Sequence, residues 1–507
     1  MTAARVRNLL LAAITLSIGL LSNAFAREST LRVAFEDRNP GLGNPYGTIV
    51  TSGISTLSIL FDALTVLGPN GHLDPGLAVS WEPTSATTWK FVLRPDITFS
   101  NGEPFTAQAV VSVFDYLRSS ASAGNFISGE VTGIKHVEAE DNLTVVFTTT
   151  APDAILPKRL SLIYMVPPKA WSEMGQDNFA QDPSGTGSFV LDSWGQKTGR
   201  ILMSENLSSW RSSRYVSRLE LINVSQQVSR TQALISGQVE IAYNVGFEDI
   251  ERLEALGYHV IVKPVAFVNA LVFSNIRPGP LKDRRVRQAL NYAVNKSEIT
   301  DVLLRGTTTP NGQGAIPSVF GYNPDILPYP YDPVKARALL REAGYEDGLT
   351  LAAQVWGAGL PEQEAIYIKV AQDLDQIGVT LRINSVVAPV WLDKWYTGKW
   401  GDTDIISGTW NSSSFNDVIR AIENFSCKKP GVVFCAPDLM DLIEESNATF
   451  DQTTREKHLQ KLLAHMHNIA PTLYLFGQTH IYAIAPILQN ITFRHEQLAL
   501  DLVKLNR

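Results

Sequence analysis

The chain has 507 residues, 45% hydrophobic and 18% charged, with 10 Trp, 15 Tyr, 21 Phe and 2 Cys. So much apolar material excludes a disordered chain, and two Cys exclude a disulfide scaffold or a multi-Cys metal site. A formal charge of -7 and a pI near 5.7 argue against a nucleic-acid partner.

Arg5 and Arg7 precede an uncharged run from Leu9 to Leu21. That run is shorter than the roughly 20 apolar residues a bilayer core needs. Ala24-Phe25-Ala26 then has the small-x-small form of a cleavage site, so a secretory leader removed after Ala26 is expected. No Cys lies near it to take a lipid. The exported remainder is expected to act in the periplasm as a soluble protein. In an oxidising compartment Cys427 and Cys435 are expected to close a short loop as a disulfide.

Leu31–Phe35 alternates as an opening strand. Thr106 is placed to cap a helix that lines Ala109, Val110, Val113, Phe114 and Leu117 on one face. Val137–Glu140 and Leu143–Thr149 flank Asp141-Asn142 as a hairpin. Asp283–Leu304 reads as an amphipathic helix broken near Asn295, with Ile299, Val302 and Leu303 continuing its apolar face. Asp332-Pro333 starts a helix that Gly344 ends. Glu362–Ile377 is a helix closed by Gly378, followed by the strand Val379–Ile383; helix then strand suggests α/β layering. Asp438–Ser446 and Thr453–Ile469 are late helices, and Ala470–Ile487 is apolar and β-rich.

Catalytic patterns are missing from the sequence: there is no G-x-S-x-G, H-E-x-x-H or P-loop. Gly41-x-Gly43 and Gly185-x-Gly187 do not extend to a dinucleotide fingerprint. His458, His465 and His467 are read as a solvated helical face, a metal set being the lesser reading, and Asp402 and Asp404 as structural or solvated. No metal and no cofactor is expected. Trp391, Trp395, Tyr396, Trp400 and Trp410 gather within a short span, where each is either core or pocket wall. Gly408-Thr-Trp-Asn-Ser-Ser-Ser414 sets small polar groups beside a Trp, the mixture that ligand pockets use.

Several ordered segments resemble one family. Gly71-His-Leu-Asp-Pro-Gly-Leu-Ala-Val-Ser-Trp81, Trp89–Arg94, Ile97-Thr-Phe-Ser-Asn-Gly-Glu-Pro-Phe105 and Gly185-Thr-Gly187 are similar to family 5 extracellular solute-binding proteins of ABC importers. So are Asp283–Lys296, Tyr331–Gly344 and the Cys427–Cys435 loop with Asp441-Leu-Ile443. The resemblance implies a periplasmic-binding-protein-like α/β fold: two lobes joined by two hinge strands, with an extra subdomain in the first lobe. The expected division is 27–55, 184–266 and 485–507 for lobe I, 56–183 for the inserted subdomain and 267–484 for lobe II. The partners implied are a small ligand and an inner-membrane permease, and the receptor is expected to be a monomer and not an enzyme.

In oligopeptide-type members a Trp pair spaced 19 apart is followed three residues later by an Asp that anchors the peptide amino group. Trp391 and Trp410 reproduce the pair, but Ser413 stands where the Asp would be. Asp417 is the alternative source of that charge. Hydroxyl-bearing ligands such as opines suit Asn411, Ser412 and Ser413; a chelated nickel or other metal, and an exported hydrolase, are the competing readings. Trp391 and Trp410 are expected as cleft walls and Arg159 as partner of a ligand carboxylate. Phe126 and Asn44 complete the expected cleft by approximate alignment.

Overall fold

The computed structural model describes residues 29–506 except 37–41, 48–50, 124, 212, 214, 358–360, 425 and 428–430. The expected leader and its cleavage point after Ala26 lie outside the described residues. No described helix is long and apolar enough to cross a membrane.

The first lobe opens with β1 (Thr30–Phe35) and α1 (Thr51–Leu60). An antiparallel subdomain follows: β2 (Ala78–Ser85), β3 (Thr88–Leu93), α2 (Ala107–Arg118), β4 (Ile134–Ala139) and β5 (Thr144–Thr149), in the order β2-β3-β5-β4. Thr106 precedes α2 as expected, yet its side chain makes no capping hydrogen bond. The short α3 (Leu156–Arg159) and α4 (Pro168–Gln181) lead back to β6 (Phe189–Ser193), β7 (Arg200–Glu205), β8 (Arg218–Asn223), α5 (Gln227–Ile235) and β9 (Ile241–Tyr243). Gly185 and Gly187 pack against α1. A Cβ on either would fall 2.0–2.2 Å from the carbonyl oxygen of Leu60 or Ile59, so this G-x-G is a close-approach device.

β10 (His259–Phe273) crosses into the second lobe. There α6 (Arg284–Ala293), α7 (Pro333–Glu342), β11 (Leu349–Trp356), α8 (Pro361–Asp375), β12 (Val379–Val386), α9 (Ala388–Thr397), β13 (Ile405–Asn411), α10 (Val418–Asn424), α11 (Met440–Ala448) and α12 (Gln452–Ile469) follow. β14 (Thr472–Ile484) then crosses back. Asp332 caps α7 by accepting from the Lys335 N–H, and Gly344 follows the helix with φ +86. Past Asn295 the expected apolar face changes. Ile299 is buried but Val302 is 66% exposed, because the backbone widens to a π-helical turn over Ile299–Leu303 and rotates the later side chains outward.

One ten-stranded sheet runs through both lobes in the order β12-β11-β13-β10-β14-β9-β1-β8-β7-β6. β10 and β14 pair over 259–264 with 479–484 and again over 268–272 with 472–477, with the register broken between Pro264 and Val268. Such irregularities bend a strand and raise its twist. The crossing of β14 therefore lies near 477–479. The expected end of lobe II at 484 falls inside the stretch that pairs with β9 in lobe I, and α1 runs through the expected 55/56 boundary. Lobe I and the subdomain share one core, joining Leu31, Val33 and Phe35 to Phe91 and Phe147. Lobe II has separate apolar clusters on its two sheet faces, centred on Trp410 and on Leu290.

Candidate functional site

Strand direction locates the cleft. β1, β8 and β9 are mutually parallel and β9 runs antiparallel to β14, so their C-terminal ends point toward the crossing. In lobe II β11, β12 and β13 are parallel and β13 opposes β10, so their C-terminal ends point toward the crossing from the other side. The two sets of strand ends face each other across β10 and β14. In open α/β sheets ligands bind beyond the carboxyl ends of the strands.

Lobe I brings Glu36 and Asn244 to this place; Asn244 donates its amide to Glu36 Oε2 at 2.8 Å. Arg230 lies behind them, giving its guanidinium to the main-chain oxygens of Tyr243, Val224, Ser225 and Asn244 at 2.7–2.9 Å. Burial pulls that guanidinium below its ordinary value, against the charge of Glu36. Lobe II contributes Glu362 at the start of α8. Its carboxyl is pushed up, first by burial and then by Glu248 of lobe I. On β14 between the lobes, burial holds His480 below its ordinary value. The lips thus carry more acid than free cation.

The aromatic wall differs from the sequence expectation. Trp410 is fully buried, with its ring against Tyr474 at 5.6 Å. A Cβ on Gly314 would lie 2.1 Å from the Trp410 ring. Gly408–Asn411 is the end of β13, not a loop, and the alternation that the sheet imposes turns Trp410 into the core. Trp391 is 7% exposed, donates to Ser407 O at 3.2 Å and stacks on Trp395 at 4.9 Å. Trp356, the last residue of β11, has open surface: it is 43% exposed and lies 6.0 Å from Trp391. Val386, the last residue of β12, pairs with Trp356, and exposed Val387 follows it. The sequence did carry a signal for Trp356: an alternating strand, then Gly357, then Pro361 opening a helix, which is the strand-to-helix turn at a sheet's carboxyl edge.

The polar candidates divide. Asn411 accepts the Ser413 N–H at 3.0 Å and is half-buried at the cleft end of β13. Ser412 is fully buried, and its N–H donates to Ala266 O at 2.9 Å. Ser413 donates its hydroxyl to Glu496, whose other oxygen accepts the Ala266 N–H. Burial raises the Glu496 carboxyl, while those two donors oppose the shift. Asn44 is buried; its amide donates to Asn125 at 3.3 Å, and its oxygen takes the Tyr46 N–H. Phe126 begins a 3₁₀ turn (Phe126–Val131), and its side chain lies outside the described set.

Arg159 and Asp417 have other partners than those expected. Arg159 is ringed by Asp153 at 3.2 Å, Glu423 at 3.0 Å and Glu130 at 3.9 Å. Burial would lower its guanidinium, and the three carboxylates more than offset that. Asp417 is fully buried and held by Arg455, at 2.6 and 3.0 Å, and by Lys158 at 3.0 Å. Burial alone would raise the Asp417 carboxyl; the two cations hold it below its ordinary value. Each group is neutralised by the protein itself.

The remaining sequence candidates separate in space. Cys427 and Cys435 form the expected disulfide. His465 meets Asp438 at 2.8 Å, His458 lies 3.7 Å from Glu445, and His467 turns inward to stack on Tyr329 at 4.3 Å. Asp402 is a surface partner of Arg277, whereas Asp404 accepts the Ala352 N–H inside the sheet. Among the described residues no group of three metal-ligating side chains converges.

Comparison with known proteins agrees with this architecture. The glutathione-binding protein GsiB of Pectobacterium atrosepticum is 29% identical over 62% of this chain, which spans about 60% of the relative's length. GsiB of Escherichia coli O157:H7 is 27% identical over 68% of this chain and 67% of its own. In fold, the chain is similar to the substrate-binding protein CtaP of Listeria monocytogenes (TM-score 0.83, 18% identity, 95% of this chain and 100% of that one). It is also similar to Helicobacter pylori DppA in complex with the peptide STSA (TM-score 0.82, 20% identity, 95% and 98%). A third is MoaA from A. tumefaciens R10 in complex with mannopinic acid (TM-score 0.78, 23% identity, 95% and 100%). The family model for bacterial extracellular solute-binding proteins, family 5, matches residues 72–431, and the chain belongs to that family.

Proposed function

We propose that this chain is the periplasmic solute-binding receptor of an ABC importer, which captures a small peptide-like or amino-acid-conjugate ligand of the opine kind between its lobes. It then delivers the ligand to an inner-membrane permease. The observation that carries this reading is the pair of opposed carboxyl-end strand sets on a sheet whose two crossing strands lose register between the lobes. A ligand that touches both lobes tips the balance between open and closed states that differ little in free energy. The names of the relatives, glutathione-binding proteins, and the mannopinic acid held by a structural neighbour support a ligand built on an amino acid.

The lining favours the same chemistry. Trp356 offers an apolar face, Asn411 and Asn244 offer neutral polar groups, and Glu36 and Glu362 suit an ammonium. Ser413 gives its hydroxyl to Glu496, and the other oxygen of that carboxylate accepts the Ala266 N–H, so the pair reads as a tie within the hinge. The test is a thermal-shift and X-ray scattering screen of the purified protein against glutathione, dipeptides and opines. One class is expected to raise the melting temperature and contract the particle. If no class does either, the reading is wrong.

A further inference from the structure

The two lobes also touch along a seam that starts beside the crossing strands, just past Ser413. On the subdomain side stand Glu130, Asp153, Lys158 and Arg159; on the lobe II side stand Asp417, Arg420, Glu423 and Arg455. Three ion pairs cross between them: Lys158–Asp417 at 3.0 Å, Arg159–Glu423 at 3.0 Å and Arg420–Glu130 at 3.0 Å. Two rings of lobe II are shared in the same way. Phe415 lies under Arg159 at 5.2 Å and Arg420 at 5.6 Å, and Phe320 under Lys158 at 4.6 Å and Arg455 at 5.5 Å. A main-chain bond from Ala154 N to Asn447 O at 2.8 Å continues the seam.

Each half of this seam is neutral by itself, with two cations and two carboxylates. Each half also keeps partners when the other leaves. Arg159 retains Asp153 and Glu130, Asp417 retains its two-point bond to Arg455, and Glu423 retains the amide of Asn447. A buried pair broken by removing one member leaves a costly bare charge. Parting this seam leaves none, since the groups that lose a partner keep another or, like Lys158, gain water. The desolvation of ions offsets most of their attraction, so the ion pairs fix one register more than they add strength. Apolar hold across the seam comes from Ile155, buried in the lobe II cluster, and from Trp89 against Phe450 at 5.7 Å.

We infer that this seam is a reversible latch, by which lobe II closes onto the subdomain in a fixed register and which sets how often the ligand-free receptor stands open. The inference rests on the receptor reading in that the lobes must part to admit a ligand. The test uses the ligand-free full chain, spin-labelled through Glu138→Cys on the subdomain and Glu346→Cys on lobe II, with the native disulfide oxidised; both sites are exposed. The inter-lobe distance distribution is compared with and without Glu423→Gln, and separately with Lys158→Gln. Asp402→Asn, at a surface pair elsewhere on lobe II, serves as control.

The latch predicts that each seam variant adds a longer-distance population at the expense of the short one, while Asp402→Asn leaves the distribution as it was. Circular dichroism establishes that each variant is folded; if one seam variant fails to fold, the other decides. An unchanged distribution in a folded seam variant overturns the inference and makes the seam a fixed pivot. An equal shift in the control overturns it as well. Because no ligand is added, such a failure bears on the latch alone, whereas a failed ligand screen with a working latch bears on the receptor reading.

Discussion

Ser413 of lobe II donates its hydroxyl to Glu496 of lobe I, and the same carboxylate accepts the N–H of Ala266 where β10 breaks register. The break strips Ala266 of its ladder partner, and an unpaired buried N–H is costly. Glu496 supplies the acceptor, while Ala266 O takes the Ser412 N–H. The hinge, the polar turn after β13 and the C-terminal segment are thereby tied at one residue.

It follows that an acid at 413 is not tolerated here. Ser413→Asp sets a second carboxylate against buried Glu496 and is expected to cost about 2 kcal/mol or more. Ser413→Ala, which only removes a donor, is expected to cost about 1–2 kcal/mol. Urea unfolding midpoints check the order. A more stable Ser413→Asp would contradict the assignment of Glu496.

The two key tryptophans are expected to separate stability from binding. Trp410→Ala empties a fully buried site and should cost about 3–5 kcal/mol. Trp356→Ala removes an exposed ring and should change stability by about 1 kcal/mol or less, while weakening ligand binding. Denaturation and calorimetric titration with a ligand from the screen read the two effects.

Much of the fold was legible in the sequence because it rests on local chemistry: the Asp332 cap, the Gly344 and Gly378 stops, the alternating opening strand through Leu31 and Val33. The site was less legible. Trp410 and Trp391 were marked by their spacing, but burial depends on which face of β13 and α9 meets the core, a non-local fact. Arg159 and Asp417 looked available because the partners that join them across the lobes, Glu423 and Lys158, are distant in sequence. Trp356 was overlooked for want of a strand-direction argument, which needs the pairing of β11 with β13.

Lys296 gives a pH dependence with a definite sign. Burial lowers its ammonium to about 7, against the charge of Asp373, and it donates to Asn291 O at 2.7 Å. The unfolded chain keeps its proton up to about 10.4. Between these values the unfolded state binds more protons, so stability rises with pH, by at most about 4–5 kcal/mol in all. Urea midpoints at about pH 7 and about pH 9.5 should differ accordingly in the wild type. They should converge in Lys296→Met.

The disulfide should act locally. Cys435 is clamped by Asn275, which accepts its N–H at 2.8 Å and donates to its oxygen at 2.7 Å, and Gly431 packs on Gly398. Reduction of Cys427–Cys435 is expected to cost about 2–3 kcal/mol. Faster hydrogen exchange should be confined to residues 398–403 and 431–435, and exchange spread over both lobes would contradict a local role.

The opposed strand ends are proposed to hold one small molecule between them. Native mass spectrometry of the protein purified without denaturation tests it most directly. One ligand of peptide-like or opine-like mass per chain is expected, with its loss or marked depletion in folded Trp356→Ala. A wild-type chain that carries no ligand and takes up none of the glutathione, dipeptides or opines offered to it, or a ligand retained undiminished by Trp356→Ala, would contradict it.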